Sequence, residues 1–257
     1  MKDTETYNSA IFEEVVIEES IIKEPVTDEP AEEDDLINDI LKDDPLLLPM
    51  TEQQLDFDRH YRQLMYIYEA AIQQTTARMS ILQGEFQFSN DRNPIDSVSS
   101  RIKSKESILT KMQKLGLPLT ASALVENIHD IAGVRVVCPF IEDVYSVARM
   151  LVRQQGIEVI KVKDYIRNPK ENGYRSLHMI VKTQVDFAES TKAITVEIQI
   201  RTIAMNFWAS TEHQLRYKKD REFTEEIQQK LKECADLMAK ADQQMQEIAG
   251  DFELEQW

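Results

Sequence analysis

Ile194-Thr-Val-Glu-Ile-Gln-Ile-Arg201 alternates without a break. Ile194, Val196, Ile198 and Ile200 fall on one side of an extended chain, and Thr195, Glu197, Gln199 and Arg201 on the other. The β-branched apolar set predicts a strand over 193–201 with one face in a core. A carboxylate at the centre of such a strand is not typical of a solvated edge. Glu197 is either a salt-bridged surface group or a carboxylate that holds a metal or takes a proton.

Outward from this strand the elements alternate in type. Upstream, 174–185 and 157–163 read as strands, separated by a polar loop over 164–173. Residues 142–155 read as a helix with Val144, Val147 and Leu151 on its apolar side, ended by Gly156. Residues 131–138 read as a buried strand closed by Pro139, and 95–103 as a strand leading into a helix over 104–115. Helical spacing puts Tyr61, Leu64, Tyr68, Ala71, Thr75 and Leu82 on one stripe of a long helix over 51–86, with Thr51 and Gln54 placed as a capping box. Downstream, 202–217 is helical. A last helix over 224–248 carries Ile227, Leu231, Cys234, Met238, Ala241, Met245 and Ile248 at heptad steps. The fold class is therefore α+β, an α/β core of roughly 100 residues between two amphipathic helices. The heptad face must be covered, by packing against the first helix or by another subunit.

Composition narrows the setting. Hydrophobic residues make up 42% of the 257, and no apolar run approaches the roughly 20 residues of a membrane helix. No basic-then-apolar leader is visible at the N-terminus. Two cysteines, Cys138 and Cys234, make no disulfide framework, and with four histidines they give no zinc-finger spacing. A cytoplasmic protein without membrane partners is expected. The net charge of −16 is uneven: residues 1–50 hold sixteen acids against Lys2, Lys23 and Lys42, leaving 30 acids and 27 bases beyond. The acidity lies in a tail with four of the eight prolines and no glycine, read as a disordered extension or a docking segment. The organisation expected is a tail over 1–50, a catalytic body over 51–220 and a terminal helix over 221–257.

Three further features carry chemistry. Asp130 immediately precedes the strand at 131–138; strand-end carboxylates often hold magnesium, whose shell nucleotide phosphates complete. Lys161, Lys163, Arg167, Lys170 and Arg175 fall within one short stretch around Gly173, with Tyr174, Ser176 and His178 sharing a side by parity. Cations beside an aromatic plane suit phosphates and a base. Lys103, Ser107 and Lys111 recur every four residues near the start of a helix, a natural phosphate site. Each has a bland counterpart: a turn aspartate, a solvated loop, an exposed lysine face.

Taken together, Glu126-Asn-Ile-His-Asp130-Ile-Ala-Gly-Val-Arg135, Asp164-Tyr-Ile-Arg-Asn-Pro-Lys-Glu-Asn-Gly-Tyr-Arg-Ser-Leu-His178 and Val196-Glu-Ile-Gln-Ile-Arg201 resemble, in order and spacing, the synthetase domain of the Rel/Spo-type alarmone enzymes. The resemblance runs from about residue 59 to 219, and the size is that of a small alarmone synthetase, closest to the RelP branch. It implies a nucleotidyltransferase-like mixed sheet flanked by helices. It also implies transfer of the β,γ-pyrophosphate of ATP to the 3′-hydroxyl of GDP or GTP, giving guanosine tetra- or pentaphosphate and AMP in the stringent response. By motif, Asp130 and Glu197 resemble the Mg2+ carboxylates, with Glu197 also the group that takes the 3′-hydroxyl proton. Arg101 and Arg135 resemble the guanidinium pair that sandwiches adenine, and Lys103, Ser107 and Lys111 the ATP phosphate contacts. Tyr174 resembles the ring that stacks on guanine; Lys163, Lys170, His178, Gln199 and Asn206 resemble the other acceptor contacts. The basic 161–164 segment is of the type that in relatives accompanies good use of GDP.

The resemblance stops in three places. The family's alarmone-degrading half needs a His…His-Asp…Asp metal site, and the one adjacent His-Asp pair here, His129–Asp130, sits inside the synthetase motif, so no hydrolase activity is expected. Asp96-Ser97-Val98-Ser99 stands where some small synthetases use an aromatic residue to bind a regulatory alarmone. The acidic tail lies outside the family pattern. Small relatives imply a homotetramer and no stable nucleic-acid partner. The competing readings are a toxin-type relative that modifies the tRNA 3′ end or makes an adenosine alarmone, and a catalytically silent interaction protein built on the two long helices.

Overall fold

The computed structural model describes residues 52–89, 92–217 and 224–254. The acidic tail and the Thr51 cap lie outside the described residues. The chain divides into two units, 1–60 and 61–257. Of the first, the described part is the opening of helix α1 (Glu52–Ser89). The second holds the rest of α1 and every other described element: β1 (Ser97–Ile102), α2 (Lys105–Lys114), α3 (Ala121–Asn127), β2 (Ala132–Cys138), α4 (Ile141–Val152), β3 (Ile157–Asp164), β4 (Leu177–Asp186), β5 (Thr191–Thr202), α5 (Ile203–Tyr217) and α6 (Glu225–Leu254). The expected elements are present in the expected order. The short α3, capped by the Thr120 hydroxyl accepting from the Ala123 N–H, is one that sequence periodicity was too brief to reveal.

The five strands form one sheet in the order β1-β2-β5-β4-β3. β2 and β5 run parallel, and the other neighbours are antiparallel. One face is the core. Val134 and Val136 pair with Ile198 and Ile200, which pair in turn with Met179 and Leu177; all six are buried. Helix α4 covers part of this face with Val144, Val147 and Leu151. Each such side chain removed from water contributes about 1.5–3 kcal/mol. On α1, Tyr68, Ala71 and Thr75 of the expected stripe are buried, and the Thr75 hydroxyl is satisfied by the Ala71 carbonyl at 2.8 Å.

Two expectations are corrected. β4 begins at Leu177 rather than at 174, because residues 170–174 are taken up by a turn: the Lys170 N–H donates to the Tyr174 carbonyl and the Gly173 N–H to the Lys170 carbonyl. The heptad face of α6 does not lie in the expected contact with the first helix. The helix packs on α5 and α4, through Leu231, Ala235, Met238 and Asp242. Ile227, Met245 and Ile248 of the heptad remain exposed. The reason is local. Gly173 sits so close to Ala235 that a Cβ at 173 would stand 2.5 Å from the alanine's, and buried Asp242 accepts a 2.6 Å hydrogen bond from Thr202 at the end of β5. A small and a polar residue thus define the docking stripe, and apolar spacing does not register either.

Candidate active site

The second face of the sheet is open, and strand register lines up the polar residues across it in two rows. Arg101 of β1 pairs with Gly133 of β2, Gly133 with Glu197 of β5, Glu197 with Ile180 of β4, and Ile180 with Lys161 of β3. The next row runs Ser99, Arg135, Gln199, His178 and Lys163. The last place in each row depends on an irregularity. The register of β3 against β4 shifts between Val159 and Lys161, so Ile160 is an extra residue. Val159 lies opposite buried Val181, and two positions on Lys161 lies opposite Ile180 of the open face. Period-two alternation would send both lysines to the core side; the bulge returns them to the site.

At the β1 side, Ser99, Ser100, Arg101, Gly133, Val134, Arg135 and Gln199 line a cleft. Gly133 forms its floor, and the Arg101 side chain lies against it. Arg135 is half-buried, with an unpartnered Nε. Burial lowers the Arg135 pKa below the usual guanidinium value, and the charge of Arg101 lowers it further. Two guanidinium planes flanking a glycine floor can take a flat aromatic ring between them.

Beside this cleft, Asp130 is gripped from both sides. Lys103 Nζ lies 2.7 Å from one carboxylate oxygen and Lys111 Nζ 2.8 Å from the other. Burial would raise the Asp130 pKa, but the two ammonium hydrogen bonds outweigh it and hold the carboxyl below its usual range. Lys103 arrives from the link between β1 and α2 and Lys111 from the last turn of α2, whose start the Ser104 side chain caps by accepting from the Ser107 N–H. Ser107 itself is exposed on that first turn.

The other carboxylate is held differently. Glu197 Oε1 lies 3.2 Å from His178 Nδ1, and Glu197 Oε2 accepts from Gln199 Nε2 at 2.8 Å. Burial pushes its pKa up, but the hydrogen bond and charge of His178 bring it below the ordinary glutamate value, against a contribution from Asp130 in the other direction. His178 Nε2 lies 2.7 Å from the Tyr174 hydroxyl. Tyr174 is half-buried among Tyr165, His178 and Trp208, and Lys170 Nζ sits over its ring at 4.9 Å from the centroid. The Arg201 guanidinium also lies over this ring, 5.2 Å from its centroid, so a base stacking there competes with two cations for the ring. Asn206, on the first turn of α5, has a buried and unpartnered Oδ1. Lys163 is exposed at the β3 edge of the same face.

All the sequence-predicted site residues on the sheet therefore meet on one face. Arg201 was absent from that set, although its parity with Glu197 and Gln199 placed it there. It is 4% exposed and donates to the Gln199 side-chain oxygen, the Tyr174 hydroxyl and the Ser176 hydroxyl. Among the described residues no cluster of three or more His, Cys, Asp or Glu side chains could hold a metal alone. The pair Asp130 and Glu197, near enough that the charge of Asp130 raises the Glu197 pKa, fits an ion that takes one or two protein carboxylates and completes its shell with phosphate oxygens, as Mg2+ does. Among the described residues no helix is long and apolar enough to cross a membrane.

Comparisons with known proteins bear on the family and the fold. Residues 100–222 match the family model described as a region found in RelA / SpoT proteins. GTP pyrophosphokinase YwaC of Bacillus subtilis (strain 168) is 41% identical over 181 residues, covering 70% of this chain and 86% of that one. GTP pyrophosphokinase YjbM of the same strain is 33% identical over 196 residues, covering 76% and 92%. The crystal structure of small alarmone synthetase 1 from Bacillus subtilis bound to its product pppGpp superposes with a TM-score of 0.70 at 33% identity, covering 75% of this chain and 98% of that one. Small alarmone synthetase 2 from Bacillus subtilis gives 0.68 at 39%, covering 74% and 98%. This chain belongs to the RelA/SpoT family, among its small alarmone synthetases.

Proposed function

We propose that this chain is a cytoplasmic GTP pyrophosphokinase, moving the β,γ-pyrophosphate of ATP to the 3′-hydroxyl of GDP or GTP. The observation that carries the reading is the placement of Asp130 and Glu197 on one open sheet face, between an arginine-flanked cleft and a basic aromatic cluster. The reaction asks for positioning and charge neutralisation more than covalent help, and the residues divide accordingly. Adenine lies between Arg101 and Arg135. The triphosphate runs toward Lys103, Ser107 and Lys111. The guanine rests on Tyr174, and Lys163, Lys170, His178, Gln199 and Asn206 orient the acceptor.

The acceptor 3′-oxygen attacks the β-phosphorus of ATP. The bond from that phosphorus to the α,β-bridging oxygen breaks and AMP leaves. The hydroxyl proton passes to Glu197, which its hydrogen bonds keep ionised and aimed. Asp130 and Glu197 would hold Mg2+, which when bound supplies neutralisation of the phosphate charge. Hydrolysis of the product is not part of the proposed activity. The exposed apolar residues of α6 suit burial between subunits, and assembly as a homotetramer is part of the proposal.

The test supplies purified protein with ATP labelled in its γ-phosphate, Mg2+ and either GDP, GTP or bulk tRNA, and resolves the products. Labelled tetra- or pentaphosphate with one AMP per transfer is expected. ADP in place of AMP, or label on tRNA alone, would contradict the proposal.

A further inference from the structure

Five side chains on the open face close a ring of hydrogen bonds. Arg201 Nη2 donates to the Tyr174 hydroxyl at 2.6 Å and to the Gln199 side-chain oxygen. Gln199 Nε2 donates to Glu197 Oε2, and Tyr174 meets His178 Nε2, whose Nδ1 meets Glu197 Oε1. With the imidazole neutral, the chemistry of the groups fixes the direction of every bond. A guanidinium has no acceptor, so both arms start at Arg201. A carboxylate has no donor, so both arms end at Glu197. In the neutral imidazole, Nδ1 therefore carries the proton and Nε2 accepts from the tyrosine hydroxyl. The two arms run head to tail from one buried cation to one half-buried anion, each ending on a different carboxylate oxygen. Bonds in series polarise one another in this way.

Resting on the proposed function, we infer that Arg201 is a positioning residue for the transfer. Through Tyr174 and His178 on one side and Gln199 on the other, it sets the rotation of the Glu197 carboxylate. The same arrangement ties the acceptor platform to the catalytic group, because the tyrosine that carries the base lends its hydroxyl to the chain that orients the glutamate. Arg201 is suited to this. Its one Nη2 spans both arms while Nε is held by Ser176 at 3.3 Å, a fork that a lysine does not reproduce.

The test uses the full chain and has two readouts. The first is the imidazole nitrogen spectrum in mildly alkaline buffer, with His178 assigned among the four histidines by substitution. A proton on Nδ1 is expected, with an Nε2 resonance that moves in Tyr174→Phe and in Arg201→Gln. A proton on Nε2, or a resonance unmoved by both substitutions, would overturn the ring. The second is steady-state kinetics, with thermal midpoints confirming folded variants. Tyr174→Phe keeps the stacking plane and cuts one arm, so kcat should fall about tenfold with little change in KM for the acceptor. Arg201→Gln should fall further, and Arg201→Lys should recover part of the loss. A Tyr174→Phe enzyme as fast as wild type, or a loss confined to KM, would overturn the positioning role. A wild-type protein that shows the expected tautomer but transfers nothing would contradict the proposed function instead, together with the catalytic sense of the ring.

Discussion

The two carboxylates of the open face are held by opposite means. Asp130 is bonded directly to two ammonium groups on long, flexible stems, both part-exposed. Among the described residues, Glu197 meets no Lys or Arg side chain within hydrogen-bond reach. Its positive counterpart, Arg201, acts through Tyr174, His178 and Gln199. Asp130 and its lysines rest paired in a way that a polyphosphate and its cation can exchange, since the lysines gain phosphate oxygens as the carboxylate gains the metal. Glu197 has nothing to exchange. Its partners His178 and Gln199 lie in the neighbouring row of the same face, and its geometry exists before substrate arrives. One site is charged for capture and the other set for proton transfer.

The comparison breaks first at Glu197. Glu197→Gln should lower kcat by about a thousandfold or more with the unfolding midpoint kept. The new amide brings an NH2 into a ring that needs two acceptors at this point. Substantial residual turnover would remove Glu197 from the chemistry. Lys103→Met and Lys111→Met test the other side. Each should lower kcat/KM for ATP about tenfold or more, with a much smaller effect on KM for GDP. A loss falling on the acceptor would contradict the assignment of these lysines to the donor.

Two smaller effects sharpen the frame behind the site. Gly173 adopts φ +87 against Ala235, so Gly173→Ala should cost about 2–3 kcal/mol in urea denaturation. A change within experimental error would show that α6 yields freely. The smallest effect is expected at Asp242. Burial raises its pKa above the ordinary aspartate value, more than the Thr202 hydrogen bond and the Arg175 charge lower it. The folded state therefore holds this proton more tightly than the unfolded chain, and stability from this group declines as pH rises from about 4 toward neutrality. Asp242→Asn keeps an acceptor for Thr202 without the titration. Its stability relative to wild type should improve over that pH interval, by about 1 kcal/mol at most. A relative loss toward neutral pH would mean that the ionised form is the stabilising one.

Much of this was legible in the chain. The strict alternation at 194–201 identified β5, its buried face and its functional face, the order of neighbouring elements gave an α/β core, and the family resemblance implied the mixed sheet. Tyr174 and His178 were expected side by side by strand parity. They do meet, but Tyr174 reaches His178 from the turn at Gly173, outside the strand. The Ile160 bulge left no signal, because one added residue changes no composition and only pairing with β4 exposes it. Arg201 was read as the polar end of a strand, since the ring it closes includes Tyr174 and His178, more than twenty residues earlier. The heptad of α6 misled for a related reason: apolar spacing reports what a helix can bury, while Ala235 and Asp242 decide where it docks.

The most direct test of the contrast is a crystal structure of the full chain with Mg2+ and a non-hydrolysable ATP analogue. The account expects adenine between Arg101 and Arg135, the ammonium groups of Lys103 and Lys111 moved from Asp130 to phosphate oxygens, and the hydrogen bonds joining Glu197, His178, Tyr174, Arg201 and Gln199 intact. Lysines still on Asp130 with the nucleotide bound elsewhere, or a ring that dissolves when the donor binds, would contradict it.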